Sequence, residues 1–378
     1  MRDIVILGST GSIGVQALEV IAANPELFRV VGLSAGGNNL TLLAKQVRDF
    51  NVPIVGVNSG AQELKSSLSG VKVIDGSGAS EQIASLTCDL VLNAITGSIG
   101  LGPTLAALAS GNKVALANKE SLVAGGDLVM AYGSEKIIPV DSEHSALFQA
   151  MSAGRVSDVS KLILTASGGP FRDRQDLSKV KLADALAHPT WSMGPVVTIN
   201  SATLVNKGLE IIEAHYLFDI AYSKIEAVIH PQSIVHSLVE FKDGSTLAQA
   251  SPPDMKGPIA YALAYPNRVG GAMAPINWNS KQSWEFEPID EKRFPAVQLA
   301  RRAGALGSSV AAIYNAANEV AVAAFMKEEI AFTAIVDTIE KVVDKLSASA
   351  PSRIRDISDV SAIEQDARIY AREVLEKG

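Results

Sequence analysis

The most informative stretch of this 378-residue chain for its architecture is Asp3-Ile-Val-Ile-Leu-Gly8-Ser-Thr-Gly11-Ser-Ile-Gly14. Its apolar run predicts a buried strand, its three glycines predict a tight turn, and the apolar face of Ala17, Val20 and Ile21 predicts a helix. This combination favours a dinucleotide site, because glycines allow close approach of a pyrophosphate and a helix N-terminus offers it free N–H groups. The spacing is G-x-x-G-x-x-G and not the usual G-x-G-x-x-G, so a plain strand-to-helix connection is the alternative.

Strand-like segments continue at regular intervals up to residue 140. They are Arg29–Leu33, Ile54–Val57, Val71–Ile74, Asp89–Asn93, Lys113–Ala117 and Lys136–Val140, with helical patterns between most of them. Alternating strands and helices predict a mostly parallel, doubly wound sheet of the Rossmann type. Ligands of such sheets bind at the carboxyl ends of the strands, so the residues after each strand are candidates for a site.

The residues after the second strand bear on the choice of dinucleotide. An NAD enzyme usually places an Asp or Glu there to bind the ribose 2′-hydroxyl, but this chain has Ser34-Ala-Gly-Gly-Asn38. That leaves room for a 2′-phosphate held by Ser34, Asn38 and backbone N–H groups, although no Arg or Lys is adjacent. The sequence therefore favours NADP over NAD.

Composition and charge narrow the class of protein. The length and the 47% apolar content predict a well-buried α/β protein of two or three domains. The net charge of -7, with 33 basic against 40 acidic residues and no basic run, argues against nucleic acid as a partner. The single cysteine, Cys88, is expected to be a packed core thiol and fits a reducing compartment. No apolar run approaches the length of a bilayer span and the first strand starts at once, so we expect a cytoplasmic protein without membrane contact.

Two carboxylates follow the last strand of this series, in Asp141-Ser-Glu143-His144. At a strand end that turns into a helix both can converge, and carboxylate oxygens suit Mg²⁺ or Mn²⁺. Glu210 or Glu213 is a candidate for a third ligand. The alternative is an acidic helix N-terminus that balances the helix dipole.

A second cluster of polar side chains lies in Ser201-Ala-Thr-Leu-Val-Asn-Lys-Gly-Leu-Glu-Ile-Ile-Glu213. On one helix, Asn206, Glu210 and Glu213 share a face that Lys207 borders. Gly208 inside the helix predicts that something approaches its backbone closely. The hydroxyls of Ser201 and Thr203, in front of the helix, are expected to cap it or hold an anion. The alternative is a solvated helix face with a Lys/Glu pair.

The sequence pattern in the middle of the chain predicts a second sheet and two loops that are candidates for ligand binding. A strand at Lys161–Thr165 leads into the glycine turn Ser167-Gly-Gly-Pro-Phe171, which suits an anion or is a plain turn. The loop Ala187–Pro195 carries His188 and Trp191 and favours a lid over a ligand, with a packing role for the Trp as the alternative. The remaining strands are Ile225–His230, Ile234–Phe241 and Thr246–Ala250, in which His230 and His236 are expected to be structural.

These patterns predict an α/β protein of three parts. The first is an N-terminal Rossmann-like doubly wound sheet that binds the nucleotide (1–141). An α+β part follows (142–265), and residues 266–292, which lose periodicity, form a linker. Helical patterns at Phe294–Ala305, Ser309–Lys327, Ala331–Leu346 and Ile363–Leu375 predict a C-terminal helical bundle (293–378).

Seven motifs in order along the chain resemble the 1-deoxy-D-xylulose 5-phosphate reductoisomerase family. They are Gly8-Ser-Thr-Gly-Ser-Ile-Gly14, Asn118-Lys-Glu120, Pro139-Val-Asp-Ser-Glu-His144, Ser167-Gly-Gly-Pro-Phe171, His188-Pro-Thr-Trp-Ser-Met-Gly194, Ser201-Ala-Thr-Leu-Val-Asn-Lys-Gly-Leu-Glu210 and His230-Pro-Gln-Ser-Ile-Val-His236. They run in family order between residues 8 and 236.

The resemblance implies a homodimeric enzyme that uses NADPH and one divalent cation, Mg²⁺ or Mn²⁺, per subunit. Residues 142–265 would then be its catalytic and dimerisation domain with a flexible flap. Its substrate would be a small sugar phosphate, 1-deoxy-D-xylulose 5-phosphate. This would rearrange to a branched aldehyde phosphate and be reduced to 2-C-methyl-D-erythritol 4-phosphate, in the non-mevalonate route to isoprenoid precursors.

The resemblance also implies a role for individual residues. The metal ligands would be Asp141, Glu143 and Glu210, and the substrate hydroxyl and carbonyl region would be contacted by Lys119 and Ser142. The phosphate would be held by Ser167, Ser201, Asn206 and Lys207, under a flap that carries His188 and Trp191. The cofactor positions would be Thr10, Gly11, Ser12, Ile13, Gly36, Gly37, Asn38, Asn118, Glu120 and Gly194.

One position departs from the family pattern, and two other functions stay open. Many members carry Lys or Arg where this chain has Gly37, so the charge of a 2′-phosphate would be met less directly. A semialdehyde or homoserine dehydrogenase would share the N-terminal fold, but the former needs a catalytic cysteine and Cys88 is badly placed for it. A non-catalytic dinucleotide sensor would leave the clustered carboxylates unexplained.

Overall fold

The computed structural model describes residues 1–191 and 193–377, so Ser192 of the predicted lid lies outside the described residues. The chain forms two compact units, each assembled from separate segments. The first unit comprises Met1–Ser121, Val129–Ser145 and Asp254–Ala274, and the second comprises Leu122–Leu128, Ala146–Pro253 and Pro275–Gly378. The residues 254–265 that we expected in the catalytic domain thus lie in the first unit.

The regular elements alternate in the first third of the chain and become mainly helical at its end. The strands are β1 (Arg2–Leu7), β2 (Phe28–Ala35), β3 (Ile54–Val57), β4 (Lys72–Asp75), β5 (Leu90–Asn93), β6 (Lys113–Leu116), β7 (Ile137–Pro139), β8 (Val159–Ala166), β9 (Ile225–Ile229), β10 (Val235–Phe241), β11 (Thr246–Ala250) and β12 (Glu287–Pro288). The α-helices are α1 (Ser12–Ala22), α2 (Leu40–Asp49), α3 (Ala61–Ser67), α4 (Ala79–Ala84), α5 (Leu101–Ala109), α6 (Glu120–Met130), α7 (Ser142–Met151), α8 (Leu182–Leu186), α9 (Pro195–Ala202), α10 (Val205–Phe218), α11 (Lys256–Ala264), α12 (Ala296–Leu306), α13 (Ser308–Met326), α14 (Ala334–Leu346) and α15 (Ile357–Glu376).

The first unit is built on a seven-stranded sheet in the order β4-β3-β2-β1-β5-β6-β7. All of its strand pairs are parallel, which confirms the predicted doubly wound sheet. Ile4 to Leu7 of β1 are fully buried at its centre. The strand order reverses between β1 and β5, so the glycine turn after β1 lies at the switch point where such sheets bind ligands.

The second unit contains a five-stranded mixed sheet in the order β11-β10-β8-β9-β12. β8 and β9 are parallel and the other pairs are antiparallel. The short strand β12 lies inside the stretch that the sequence predicts to be a linker. Its two residues pair with Ile229 and Val228 at the sheet edge. So short a pairing uses backbone groups and leaves no side-chain periodicity, which is why the pattern did not reveal it.

The polar stretch 201–213 does not form one helix. It spans the end of α9 and the start of α10, which are separated by Leu204 in the left-handed region (φ 57°). Ser201 therefore lies inside α9 and does not cap α10, contrary to expectation. Thr203 is not the N-cap of α10 either, since that position is Leu204, but its Oγ1 accepts a hydrogen bond from the backbone N–H of Val205 (3.3 Å).

The expected close approach at Gly208 comes from packing within the second unit. A Cβ at Gly208 would lie 2.7 Å from the Cβ of Ala300 on α12 and 2.9 Å from the hydroxyl of Tyr314 on α13. The absence of a side chain thus lets three helices meet. The four predicted C-terminal helices are present as α12 to α15. Within the described residues α13 is the one helix long and apolar enough to span a bilayer, but 78% of that stretch is buried inside the protein, as in a core helix.

Candidate active site

The glycine turn after β1 has the geometry of a pyrophosphate cradle. Gly8 has φ 76°, and a Cβ on it would lie 2.7 Å from the carbonyl oxygen of Ala94, so only glycine fits. A Cβ at Gly14 would lie 2.4 Å from the Gly8 carbonyl oxygen. Helix α1 starts at Ser12 with no side-chain cap and no acidic residue in its first turn. Its N-terminal N–H groups and the positive end of its dipole are therefore available to an anion, which fits a dinucleotide.

The residues after β2 correct one prediction. Ser34 does not face a ligand, because it is fully buried within β2 and its Oγ lies 3.1 Å from the Oγ of Ser80. Its carbonyl oxygen accepts the N–H groups of Gly8 and Ser9 (2.9 Å each), so it shapes the glycine turn instead. Strand β2 simply runs further than the sequence pattern indicated. Gly36 opens onto free space, and Asn38 precedes Asn39, the N-cap of α2.

Asn118 joins the ends of two neighbouring strands. Its Nδ2 donates to the carbonyl oxygens of Ile95 (2.5 Å) and Gly97 (2.9 Å), and to the carboxylate of Glu120 (2.9 Å). Its Oδ1 accepts from the backbone N–H of Ser121 (2.9 Å). Since these contacts use its amide hydrogens and its carbonyl oxygen, Asn118 orders the loops beside the cradle.

Asp141, Ser142 and Glu143 follow β7, as predicted, and two of them open α7. Carboxylate oxygens of Asp141 and Glu143 lie within 4.8 Å of each other. Lys119 Nζ forms an ion pair with Asp141 (2.5 Å), and Ser142 Oγ donates to Glu143 (2.5 Å). The sequence did not single out His144, which is fully buried with its Nδ1 3.9 Å from Asp141. Its position three residues after Asp141 on a helix was the signal that would have revealed it.

Helix α10 places three predicted site residues together in the second unit. Lys207 and Glu210 are 3% and 1% exposed and form an ion pair, while Asn206 Nδ2 donates to the other oxygen of Glu210. Glu213 is also fully buried. The alternative of a solvated helix face is therefore wrong. Burying an ammonium and two carboxylates is costly unless they serve a site or a network.

The glycine turn after β8 and the predicted lid meet at Ser167. His188 Nε2 lies 3.0 Å from Ser167 Oγ, and His188 Nδ1 accepts the backbone N–H groups of Thr190 (3.1 Å) and Trp191 (2.9 Å). Nδ1 is therefore unprotonated and Nε2 carries the hydrogen that it donates to Ser167. Burial lowers the pKa of His188 from its ordinary value, which keeps this neutral form.

Two further contacts show what lies next to the predicted phosphate-binding residue Ser201 and the predicted flap residue Trp191. A Cβ at Gly169 would lie 2.9 Å from the carbonyl oxygen of Ser201, so the turn that carries Ser167 packs directly on the end of α9. The rings of Trp191 and His236 lie 6.1 Å apart. Gly194 is exposed and precedes α9, which has no side-chain cap.

The two histidines and the cysteine for which we expected no catalytic role are buried or partly buried. His230 is buried, stacks on Phe286, and accepts the backbone N–H groups of Ile234 and Val235. His236 Nε2 lies 3.0 Å from Ser251 Oγ. Cys88 is partly buried, and desolvation raises its pKa to about 11, so it is a weak nucleophile.

The three predicted metal ligands are all carboxylates. Asp141 and Glu143 offer carboxylate oxygens from one short segment, and Glu210 offers a buried carboxylate on α10. Oxygen-only donors of this kind suit Mg²⁺ or Mn²⁺ and do not suit softer metals. In the described structure their charge is balanced by Lys119 and Lys207.

Comparison with known proteins shows the family of this chain. Three family models match the chain: 1-deoxy-D-xylulose 5-phosphate reductoisomerase over residues 4–126, its C-terminal domain over residues 137–218, and DXP reductoisomerase C-terminal domain over residues 250–370. The 1-deoxy-D-xylulose 5-phosphate reductoisomerase of Kitasatospora griseola is 53% identical and the alignment covers 98% of this chain and 99% of that protein. The chain belongs to the 1-deoxy-D-xylulose 5-phosphate reductoisomerase family.

Other reductoisomerases are similar in sequence and structure. The Mycobacterium marinum protein is 56% identical, over 94% of this chain and 89% of its own length. A crystal structure of DOX-P reductoisomerase with NADPH, fosmidomycin and magnesium has a TM-score of 0.94 and 36% identity, and covers 100% of this chain and 98% of that one. The reductoisomerase of Zymomonas mobilis in complex with NADPH has a TM-score of 0.92 and 39% identity, over 99% of each chain.

Proposed function

We propose that this protein reduces and isomerises 1-deoxy-D-xylulose 5-phosphate to 2-C-methyl-D-erythritol 4-phosphate, with NADPH and a divalent cation. The product is a precursor of isoprenoids in the non-mevalonate pathway. The observation that carries this function is the match to reductoisomerases over nearly the whole chain at 53% identity. The uncapped α1 terminus beside the glycine turn and the oxygen-only donor set supply the chemistry that the reaction needs.

The carboxylates of Asp141, Glu143 and Glu210 bind the cation in this proposal. A bound divalent cation holds neighbouring substrate oxygens and stabilises negative charge that develops on them. Lys119 and Ser142 lie beside these carboxylates, so their N–H and O–H donors orient the hydroxyl and carbonyl region of the substrate.

The substrate phosphate is held by Ser167, Ser201, Asn206 and Lys207. Two facts about the second unit support this assignment: the turn carrying Ser167 packs on Ser201, and Lys207 lies next to Asn206 on α10. His188 and Trp191 of the flap close over the bound phosphate and exclude water, since His188 already contacts Ser167. The energy of binding the substrate phosphate, which is remote from the reacting carbons, can order the flap before reduction.

The cofactor is held at the switch point of the parallel sheet. Its pyrophosphate lies against Thr10, Gly11, Ser12 and Ile13, where the α1 N–H groups are uncapped. Gly36, Gly37 and Asn38 face the adenosine ribose at the end of β2. The remaining residues that we assign to NADPH binding are Asn118, Glu120 and Gly194.

We further propose that the enzyme is a cytoplasmic homodimer. Strand β11 supports the dimer, because it is an outer strand of its sheet and carries the exposed Leu247 (41%). A lone cysteine, which can form no disulfide within the chain, supports a reducing compartment. Light scattering of purified protein and fractionation of cells test these two assignments, and a monomer or a secreted protein would contradict them.

The reaction is tested by following NADPH oxidation with 1-deoxy-D-xylulose 5-phosphate, using chelator-treated protein before and after Mn²⁺ or Mg²⁺ is added. Metal-dependent oxidation that yields the methylerythritol phosphate is the expected result. Folded protein that binds NADPH but does not oxidise it under these conditions would contradict the proposal.

A further inference from the structure

The loop after β2 leaves no space for a side chain at Gly37. The residue has φ 108°, and a Cβ built on it would lie 2.5 Å from both the carbonyl oxygen and the Oγ of Ser59. Contacts with a backbone oxygen at this distance cannot be relieved by turning a side chain. The long basic side chain that many family members carry here is thus incompatible with the Asn58–Gly60 loop as it stands.

Ser59 takes the space that a side chain at Gly37 would use. It follows β3, whose Val57 pairs with Ala35 at the end of β2. The two loops are bound to each other, since Asn58 N–H donates to the Ala35 carbonyl oxygen (3.2 Å) and Ser59 Oγ to that of Gly36 (3.2 Å). Ser59 is an exposed residue, and its hydroxyl lies beside Gly36 and Gly37, just after the end of β2.

A doubly wound sheet presents the adenosine ribose to that space, next to the end of the second strand. Ser34, which the sequence offered for the 2′-phosphate, is buried against Ser80 and does not reach it. A hydroxyl has a single proton, so Ser59 Oγ–H would turn from the Gly36 carbonyl oxygen to a phosphate oxygen. The new hydrogen bond is charge-assisted and needs no positive charge on the donor.

We propose that Ser59 is a specificity-determining residue that binds the 2′-phosphate of NADPH, in place of the side chain that Gly37 lacks. The proposal rests on the proposed use of NADPH. It explains how the enzyme selects a phosphorylated dinucleotide with no basic residue adjacent to Asn38.

The test measures binding of NADPH and NADH by cofactor fluorescence, and displacement of NADPH by 2′-AMP and 5′-AMP. Ser59→Ala should weaken the binding of NADPH and 2′-AMP by about tenfold or more, because a hydrogen bond to a charged group is lost. The binding of NADH and 5′-AMP, which lack the 2′-phosphate, should be unchanged. Ser59→Thr keeps the hydroxyl and should retain most of the preference. Ser85→Ala is the matched control, since Ser85 is an exposed serine of the same unit that bonds only its own helix.

The possible outcomes distinguish a failure of the Ser59 proposal from a failure of the proposed NADPH-dependent reaction. Wild-type protein that binds neither dinucleotide would contradict NADPH use itself. If wild type prefers NADPH and Ser59→Ala keeps the same preference, Ser59 is not the determinant. Equal weakening of NADPH and NADH by Ser59→Ala would also overturn the proposal, because it would show a general loss of loop structure.

Discussion

Lys119 Nζ lies 2.5 Å from a carboxylate oxygen of Asp141, and their side chains are only 11% and 14% exposed. Lys207 and Glu210 repeat this relationship on α10. In both cases a lysine assigned to the substrate neutralises a carboxylate assigned to the cation. The two lysines therefore compensate buried negative charge until ligands bind.

This relationship predicts competition between Lys119 and the cation. Lys119→Met should tighten binding of Mn²⁺ without substrate by about tenfold, because Asp141 loses its counter-charge. Turnover should fall in the same variant, since a substrate donor is lost. The Mn²⁺ affinity is measured from the free-ion signal in electron paramagnetic resonance. Lys45→Met, which breaks an exposed ion pair with Asp49, is the control, and equal affinities in both variants would argue against competition.

Glu210→Gln should reduce the metal-dependent rate by at least about a hundredfold, because a neutral amide replaces an anionic ligand. Binding of NADPH should be unaffected, since Glu210 lies outside the unit that holds the glycine turn. Steady-state kinetics at saturating Mn²⁺ and a fluorescence titration of NADPH test the two parts. Glu226→Gln removes an exposed carboxylate that pairs with Lys161 and serves as the control. A normal rate for Glu210→Gln would remove this residue from the metal site.

The flap should open as the pH falls. Burial lowers the pKa of His188, so the neutral ring favours the ordered flap. That contribution is complete above the unfolded value of about 6.5 and is lost as the pH falls through the lower folded value. Protonation of Nδ1 would displace the N–H groups of Thr190 and Trp191 that it now accepts.

Trp191 fluorescence reports this opening in a variant with Trp278→Phe and Trp284→Phe, the two other tryptophans. A transition below about pH 6.5 is expected, and His188→Gln, which cannot titrate, should abolish it. The same transition in His188→Gln would assign it to another group.

Gly208→Ala should destabilise the second unit by about 1–3 kcal/mol despite the better helix propensity of alanine, because the added methyl overlaps α12. Chemical denaturation followed by circular dichroism measures the loss. Gly208→Ala combined with Ala300→Gly should recover part of it, since the nearest atom, 2.7 Å away, is then removed. Gly78→Ala, at an exposed glycine with no atom near its Cβ position, should have little effect. A fully stable Gly208→Ala single variant would contradict the role of this glycine in packing.

The local sequence pattern was sufficient to predict the parallel sheet and the glycine turn. It also predicted correctly that Asp141 and Glu143 lie at a strand end. It failed where long-range contacts decide the conformation. Leu204 interrupts a continuous helical pattern with a left-handed backbone, which leucine seldom adopts alone. Ser34 is buried because α4 packs on β2, and no periodicity within β2 encodes that neighbour. Ser59 escaped notice because its importance follows from the backbone of Gly37, twenty-two residues earlier in the chain.

The segment Asp254–Ala274 has a consequence for how the protein is made. Helix α11 packs on α1, Arg2 donates to the carbonyl oxygens of Leu263 and Tyr265, and Lys256 pairs with Glu19. A ribosome must therefore translate the chain beyond residue 254 before the N-terminal unit can close. Until then the side of α1 that α11 covers is exposed and available to chaperones. An expression fragment that stops at residue 141 would keep that surface exposed, and we expect it to aggregate where the whole chain stays soluble.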